Sequence, residues 1–282
     1  MTVPFMNWSE GIERILDMNL PKSKKTLKSL LSEYVLDFSK IKKSITQGKI
    51  PTGPVQLTIS FICSRSGRLA TLGNRVGDEL KRRKPLDLLK ERELNSFLDA
   101  IYTRKRRNSK LYKEAKTKIL RFLKRLGDLE SELSRLAESE RLKLFEERFE
   151  NILEDDAKIG RKGRDNLLRD CGFLNHIPID IHENRFLLRT GIFHKYASLN
   201  ESDPTDYNHL ANAMRRFCEK ELKTLKVNGI SLSDAPGLVD LIVWYFSQEK
   251  TEQEISLGIC AKTPLCEKCP LNNLCLFARQ HK

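Results

Sequence analysis

Four of the chain's seven cysteines fall within sixteen residues, Cys260, Cys266, Cys269 and Cys275, in the order Cys-x5-Cys-x2-Cys-x5-Cys. Thiolates bind zinc or iron, and four in so short a loop can close around one ion or one cluster while Pro264 and Pro270 set the turns. Structural zinc sites more often use two Cys-x2-Cys pairs held apart by a longer spacer. Here one close pair is flanked by single cysteines, a spacing that leans towards an iron-sulfur cluster, with zinc as the alternative. No histidine lies in the loop, so a mixed Cys/His zinc site is not expected there. Cys63, Cys171 and Cys218 lie in expected helices among apolar neighbours such as Phe61, Ile62, Leu167 and Phe217 and read as buried small hydrophobes.

A second stretch offers a different chemistry. Gly160, Arg161, Lys162 and Gly163 form a glycine-bracketed basic turn opening a helix, and Pro178, Ile179, Asp180, Ile181 and His182 follow shortly after. Such a turn can present backbone N–H groups and cations to a phosphate. It can equally be a helix start carrying surface cations. Asp180, two residues after Pro178, has the place of a helix N-cap, a use compatible with a chemical role for the same carboxylate.

Helices must position these groups. Apolar residues recur at i, i+3, i+4 and i+7, as in Ile119, Phe122, Leu123 and Leu126 and again in Leu129, Leu133 and Leu136, and few stretches alternate with period 2. Helices are expected at about 9–18, 22–45, 54–64, 68–82, 86–106, 110–126, 129–153, 163–172, 181–190, 205–224 and 236–250, punctuated by Pro and Gly, including Gly127. The expected fold class is all-α, and no fixed-period repeat supports a solenoid. At 282 residues the chain has room for one large or two ordinary domains.

Lys and Arg number 51 against 38 Asp and Glu, and the resulting net charge of +13 favours a polyanionic partner, most often nucleic acid. The composition excludes collagen-like and low-complexity chains. The apolar run Leu241 to Phe246 is too short to span a membrane, so no membrane partner is expected. With no secretory signal apparent and an odd cysteine count that speaks for thiols or metal ligands, the expected location is intracellular, cytoplasmic, nucleoid-associated or nuclear. Basic clusters at Lys81 to Lys84 and Arg104 to Arg107 fit helix C-termini, where cations complement the helix dipole, or phosphate contacts.

The cysteine loop resembles the one that carries a 4Fe-4S cluster in the endonuclease III family of helix-hairpin-helix DNA glycosylases, one residue shorter in its first gap. The basic turn resembles the hairpin of the same family, whose Val-Gly-Arg-Lys element carries the catalytic lysine and whose Val-Asp-Thr-His element carries the catalytic aspartate. Lys162 and Asp180 occupy those places, 18 positions apart, a separation similar to the family's. Where the family hairpin reads Gly-x-Gly, this chain has Lys158 and Gly160. Gly163 and Arg164 replace the usual Thr-Ala. Arg65 is the nearest match to a family glutamine that enters the DNA. Asp180 and Cys260 are 80 positions apart, more than in the family, which implies an insertion at 191–235.

The resemblance implies a two-domain architecture: a helical barrel at 46–175 containing the helix-hairpin-helix element, and a discontinuous cluster domain built from 1–45 and 176–282, with DNA across the cleft between them. It implies a monomeric enzyme acting on double-stranded DNA with a damaged base or an abasic site. Lys162 would be the nucleophile that forms a Schiff base before β-elimination, and Asp180 the carboxylate that stabilises developing charge. Gly160, Arg161, Gly163 and Arg65 would contact DNA, and Cys260, Cys266, Cys269 and Cys275 would hold the cluster. Two other readings keep the same residues. One is a monofunctional glycosylase in which Asp180 activates water; the other is a non-enzymatic nucleic-acid-binding protein with a structural metal loop.

Overall fold

The computed structural model describes residues 7–64, 70–102, 109–193, 201, 206–249 and 256–281. Helix dominates them. Among the described residues the only strands are Lys226–Val227 (β1) and Ile230–Ser231 (β2), paired antiparallel with Val227 opposite Ile230. Asn228 and Gly229 join them at φ 47 and 81, the pair of left-handed residues that an Asn-Gly hairpin turn requires. The fold class is all-α. No helix among the described residues is long and apolar enough to cross a membrane.

Two compact units divide the chain: a continuous unit, Phe38–Gly172, and a discontinuous unit, Met1–Asp37 with Phe173–Lys282. The first divide falls inside helix α2 (Leu27–Thr46), which runs unbroken through it, whereas the boundary at 45/46 expected from the sequence falls at the C-terminal end of that helix.

The continuous unit contains α3 (Thr52–Ser64), α4 (Ala70–Lys81), a 3-10 turn at Pro85–Leu89, α5 (Glu91–Ile101), α6 (Lys110–Arg135), α7 (Glu138–Asp155) and α8 (Arg161–Asp170). Its core gathers aromatic rings. Phe145 and Phe149 stack at 5.0 Å, and Phe122 lies 6.4 Å from Phe149. Gly127 does not end a helix as expected: α6 continues through it to Arg135, because Leu126, Leu129 and Leu133 extend the buried stripe. Burying those leucines outweighs the roughly 1 kcal/mol that a mid-helix glycine costs relative to alanine. The expected helix at 86–106 is instead the 3-10 turn followed by α5, which ends at Ile101. Lys81 and Arg82 pair within their own helix end, with Asp78 at 3.3 Å and Glu79 at 3.7 Å, the helix-end reading of that cluster. Residues 104–107 lie outside the described residues.

The discontinuous unit holds α1 (Trp8–Leu16), the first part of α2, α9 (Ile181–Thr190), α10 (Tyr207–Glu221), the small hairpin, α11 (Pro236–Ser247) and α12 (Leu276–Gln280). Every residue of α11 except Trp244 is buried, so this helix is the hub on which α9, α10 and α1 pack. Cys63, Cys171 and Cys218 are buried, and burial pushes the Cys63 and Cys218 thiols up to about 12.

Candidate functional site

The candidate residues fall in both units. In the continuous unit, α7 ends in a turn that reverses the chain: the Asp156 and Ala157 N–H groups donate to Ile152 O at 3.1 and 3.0 Å, and the Ile159 N–H donates to Leu153 O at 2.9 Å. This wrapped C-terminus satisfies carbonyls that the helix leaves open, and it needs one left-handed residue. Lys158 fills that place at φ 55, where a non-glycine side chain costs about 1–2 kcal/mol. Ala157 and Ile159 are buried beneath the turn.

Helix α8 begins at once, with Gly160 as N-cap and the Arg164 N–H donating to Gly160 O at 3.1 Å. The two bracketing glycines differ in their reasons. A Cβ on Gly163 would lie 2.6 Å from Ile159 Cγ2, so packing demands glycine there. A Cβ on Gly160 would meet nothing within 4 Å, and its φ of −65 suits any residue, so the fold makes no demand for glycine at that place. Arg161 and Lys162 are exposed on the first turn of α8. Arg164 is turned back to an ion pair with Glu154 instead.

A groove of about 740 Å³ lies over this turn, lined by Phe61, Ile62, Lys118, Asn166 and the run Ala157 to Gly163. Its lining contains four cations, Lys118, Lys158, Arg161 and Lys162, and no carboxylate. Arg65 lies outside the described residues.

In the discontinuous unit, Asp180 is the N-cap of α9. Its Oδ1 accepts the His182 N–H at 2.7 Å, and Glu183 Oε2 accepts the Asp180 N–H at 2.9 Å, closing a capping box. The Tyr207 hydroxyl donates to Ile177 O at 2.9 Å and accepts the Ile179 N–H at 3.3 Å, fixing the approach to the cap. Glu183 is 1% exposed and its Oε1 has no hydrogen-bond partner among the described residues. Burial, then the nearby carboxylates of Asp240 and Asp180, push the Glu183 carboxyl well above the usual range. Sequence reasoning missed Glu183, although Asp-x-x-Glu after a proline is a capping-box signal.

The cysteine loop is tied to the last turn of α9 by Arg189. This side chain, 6% exposed, donates from Nη1 to Ala261 O at 2.7 Å and from Nη2 to Lys262 O at 3.1 Å. It also pairs with Glu201 through two contacts of 2.9 Å, and Phe277 lies 5.0 Å below the guanidinium. Cys275 Sγ donates to Arg189 O at 3.2 Å. Arg189 too was missed, since its partners lie 72 and 73 positions away.

Cys260 and Cys275 are buried; Cys266 and Cys269 are half-buried. Burial pushes the Cys260 thiol up to about 11 and the Cys269 thiol up to about 12, and the charge of each neighbouring thiolate adds to the rise at Cys269. The four sulfurs are thus close enough for their charges to act on one another. Among the described residues, however, no three His, Cys, Asp or Glu side chains are grouped to hold a metal ion. The donor set, four thiols gathered in one short loop, suits a cationic group that would replace their protons. Compared with known proteins, the chain matches no family model, no curated protein and no solved structure.

Proposed function

We propose that this chain is a base-excision DNA glycosylase of the helix-hairpin-helix type with abasic-site lyase activity. The observation that carries the reading is the α7–α8 turn, which sets Lys162 on an exposed first helical turn in an all-cationic groove beside a glycine that the fold does not require. Cationic side chains and the N-terminus of α8 favour a phosphate, and the bare Gly160 lets a backbone approach closely.

In this reading the target nucleotide leaves the duplex stack, at a cost of a few kcal/mol that is smallest for a damaged or mispaired base. The neutral Lys162 amine attacks C1′, the bond from C1′ to the base breaks, and the base departs with the bonding electron pair and takes up a proton. The amine nitrogen loses a proton, the C1′–O4′ bond breaks to give a protonated imine while O4′ keeps the electron pair and takes up a proton, and loss of a C2′ proton expels the 3′ phosphate. Asp180 stabilises the positive charge that develops on the sugar. Cys260, Cys266, Cys269 and Cys275 would hold a 4Fe-4S cluster, or zinc as the alternative. The bound group would fix the loop so that the exposed Lys262, Lys268 and Arg279 face phosphates. Base release and β-elimination change no oxidation state.

The test is borohydride trapping on abasic and damaged duplexes. Wild-type protein is expected to form a covalent complex, and Lys162→Ala to lose it by at least about 1000-fold. Unchanged trapping in that variant overturns the assignment, and base release without strand cleavage selects the monofunctional reading instead. Brown colour with broad visible absorption in the purified protein marks the cluster; a colourless, zinc-containing protein overturns that part.

A further inference from the structure

The geometry points to a second ligand site, in the discontinuous unit: a docking groove for an acidic peptide segment that carries a bulky apolar side chain. A groove of about 740 Å³ is walled by α1, the end of α9, α10 and α12, within the size range of ligand sites. The α10 wall is one helical face, since Ala213, Arg216, Phe217 and Lys220 follow i, i+3, i+4, i+7 spacing.

Depth and charge are arranged differently across this groove. Trp8, Leu274 and Leu276 are half-buried and apolar, whereas the cations Arg216, Lys220 and Arg279 are exposed. Glu221 is the single carboxylate in the lining, and it lies 3.4 Å from Lys220. Arg216 has no hydrogen-bond or ion-pair partner among the described residues, and Arg279 reaches only Leu274 O at 3.4 Å. An apolar bottom under a cationic rim complements a ligand with an apolar anchor flanked by carboxylates, which guanidinium groups bind in bidentate fashion.

Nucleic acid fits this groove less well. Single strands need aromatic faces on which bases stack. Here Phe217 is 5% exposed and Trp8 meets it edge-on, at 5.4 Å and 90°, while Ile192, Leu274 and Leu276 supply an aliphatic lining. The proposal is independent of the glycosylase reading, because it uses none of that reading's residues except the rim cation Arg279 and its test measures no reaction on DNA.

Trp8 supplies the readout. The chain has two tryptophans, so Trp244→Phe leaves Trp8 alone, and isothermal calorimetry on the unsubstituted chain repeats the measurement if that variant folds poorly. The probe is the acetylated peptide Glu-Asp-Leu-Phe-Asp-Glu. Its addition is expected to shift Trp8 emission saturably at roughly 10–100 µM, an affinity suited to a short apolar anchor with a charged rim. Arg216→Glu should weaken binding by about tenfold or more, and replacing Leu-Phe in the peptide by Ser-Ser should abolish it. Three results overturn the proposal: no saturable response up to about 1 mM, where affinity is no longer specific; binding indifferent to Arg216→Glu; or oligothymidylate that binds as tightly as the peptide and is displaced by it.

Discussion

At the α7–α8 turn, the side chains proposed for chemistry lie outside the packing: Arg161 and Lys162 are exposed, while buried Ala157 and Ile159 and the close contact at Gly163 hold the backbone. At α9 the arrangement is reversed. Asp180 closes the capping box, Glu183 is buried beneath it, and Arg189 fastens the cysteine loop. The first region would separate the proposed chemistry from stability, and the second would fuse them. A loss of activity is therefore interpretable directly at Lys162 and ambiguous at Asp180 unless the cap is preserved.

The sharpest break in this contrast would come from Arg189→Ala. It strands the Ala261 and Lys262 carbonyls and should cost about 3 kcal/mol in urea unfolding, while Lys162→Ala stays within about 0.5 kcal/mol of wild type. Equal costs at the two sites would erase the distinction. Asp180→Asn comes next, because asparagine caps helices as well as aspartate does. It should keep stability within about 0.5 kcal/mol and slow base release by about 100-fold. A large fall in stability would show that the carboxylate's charge serves the fold.

Glu183→Gln tests the buried side through pH. With its folded pKa raised above the unfolded value, Glu183 keeps its proton in the folded chain and loses it on unfolding once pH exceeds about 4.5. Its contribution is fully present below that pH and declines, by up to about 1.4 kcal/mol per pH unit, as pH rises towards the folded pKa. The glutamine keeps an acceptor for the Asp180 N–H and does not titrate. Its stability relative to wild type should therefore climb between pH 5 and pH 8 in parallel urea series; a constant difference would show that Glu183 is ionised when folded. The smallest effect is expected at the turn itself. Gly163→Ala should lose about 1 kcal/mol through the clash with Ile159, whereas Gly160→Ala should leave stability unchanged and weaken binding to abasic DNA. A stability loss at Gly160 would mean that the fold, and not a ligand, requires that glycine.

The helices were legible because their apolar stripes are local, and the Asp180 cap was legible because proline and aspartate announce it within three residues. Gly127 misled for the same reason: a glycine reads as a stop until the buried Leu129 and Leu133 beyond it are weighed. The cysteine loop was visible as spacing, but its fastening was not, since Arg189 meets Ala261 and Lys262 only after the chain has folded. Glu183 lay in view as part of a capping box, yet the charge that acts on it once buried comes from Asp240 in α11, far along the chain. Likewise, nothing in the sequence distinguishes Gly160 from Gly163, because their difference is the position of one methyl group of Ile159.

The unbroken passage of α2 through the divide has a consequence for synthesis. The continuous unit, Phe38–Gly172, has all its residues once Gly172 leaves the ribosome, whereas the discontinuous unit must wait for segments as late as α12. At translation speeds of about 5–20 residues per second that delay lasts several seconds or more. Meanwhile the first half of α2 carries Leu27, Leu31 and Val35, all buried in the finished fold, before α9 to α12 have been made. A nascent chain paused there would display a single apolar helical face, a natural handhold for a chaperone and the point at which a slowed ribosome would most endanger folding.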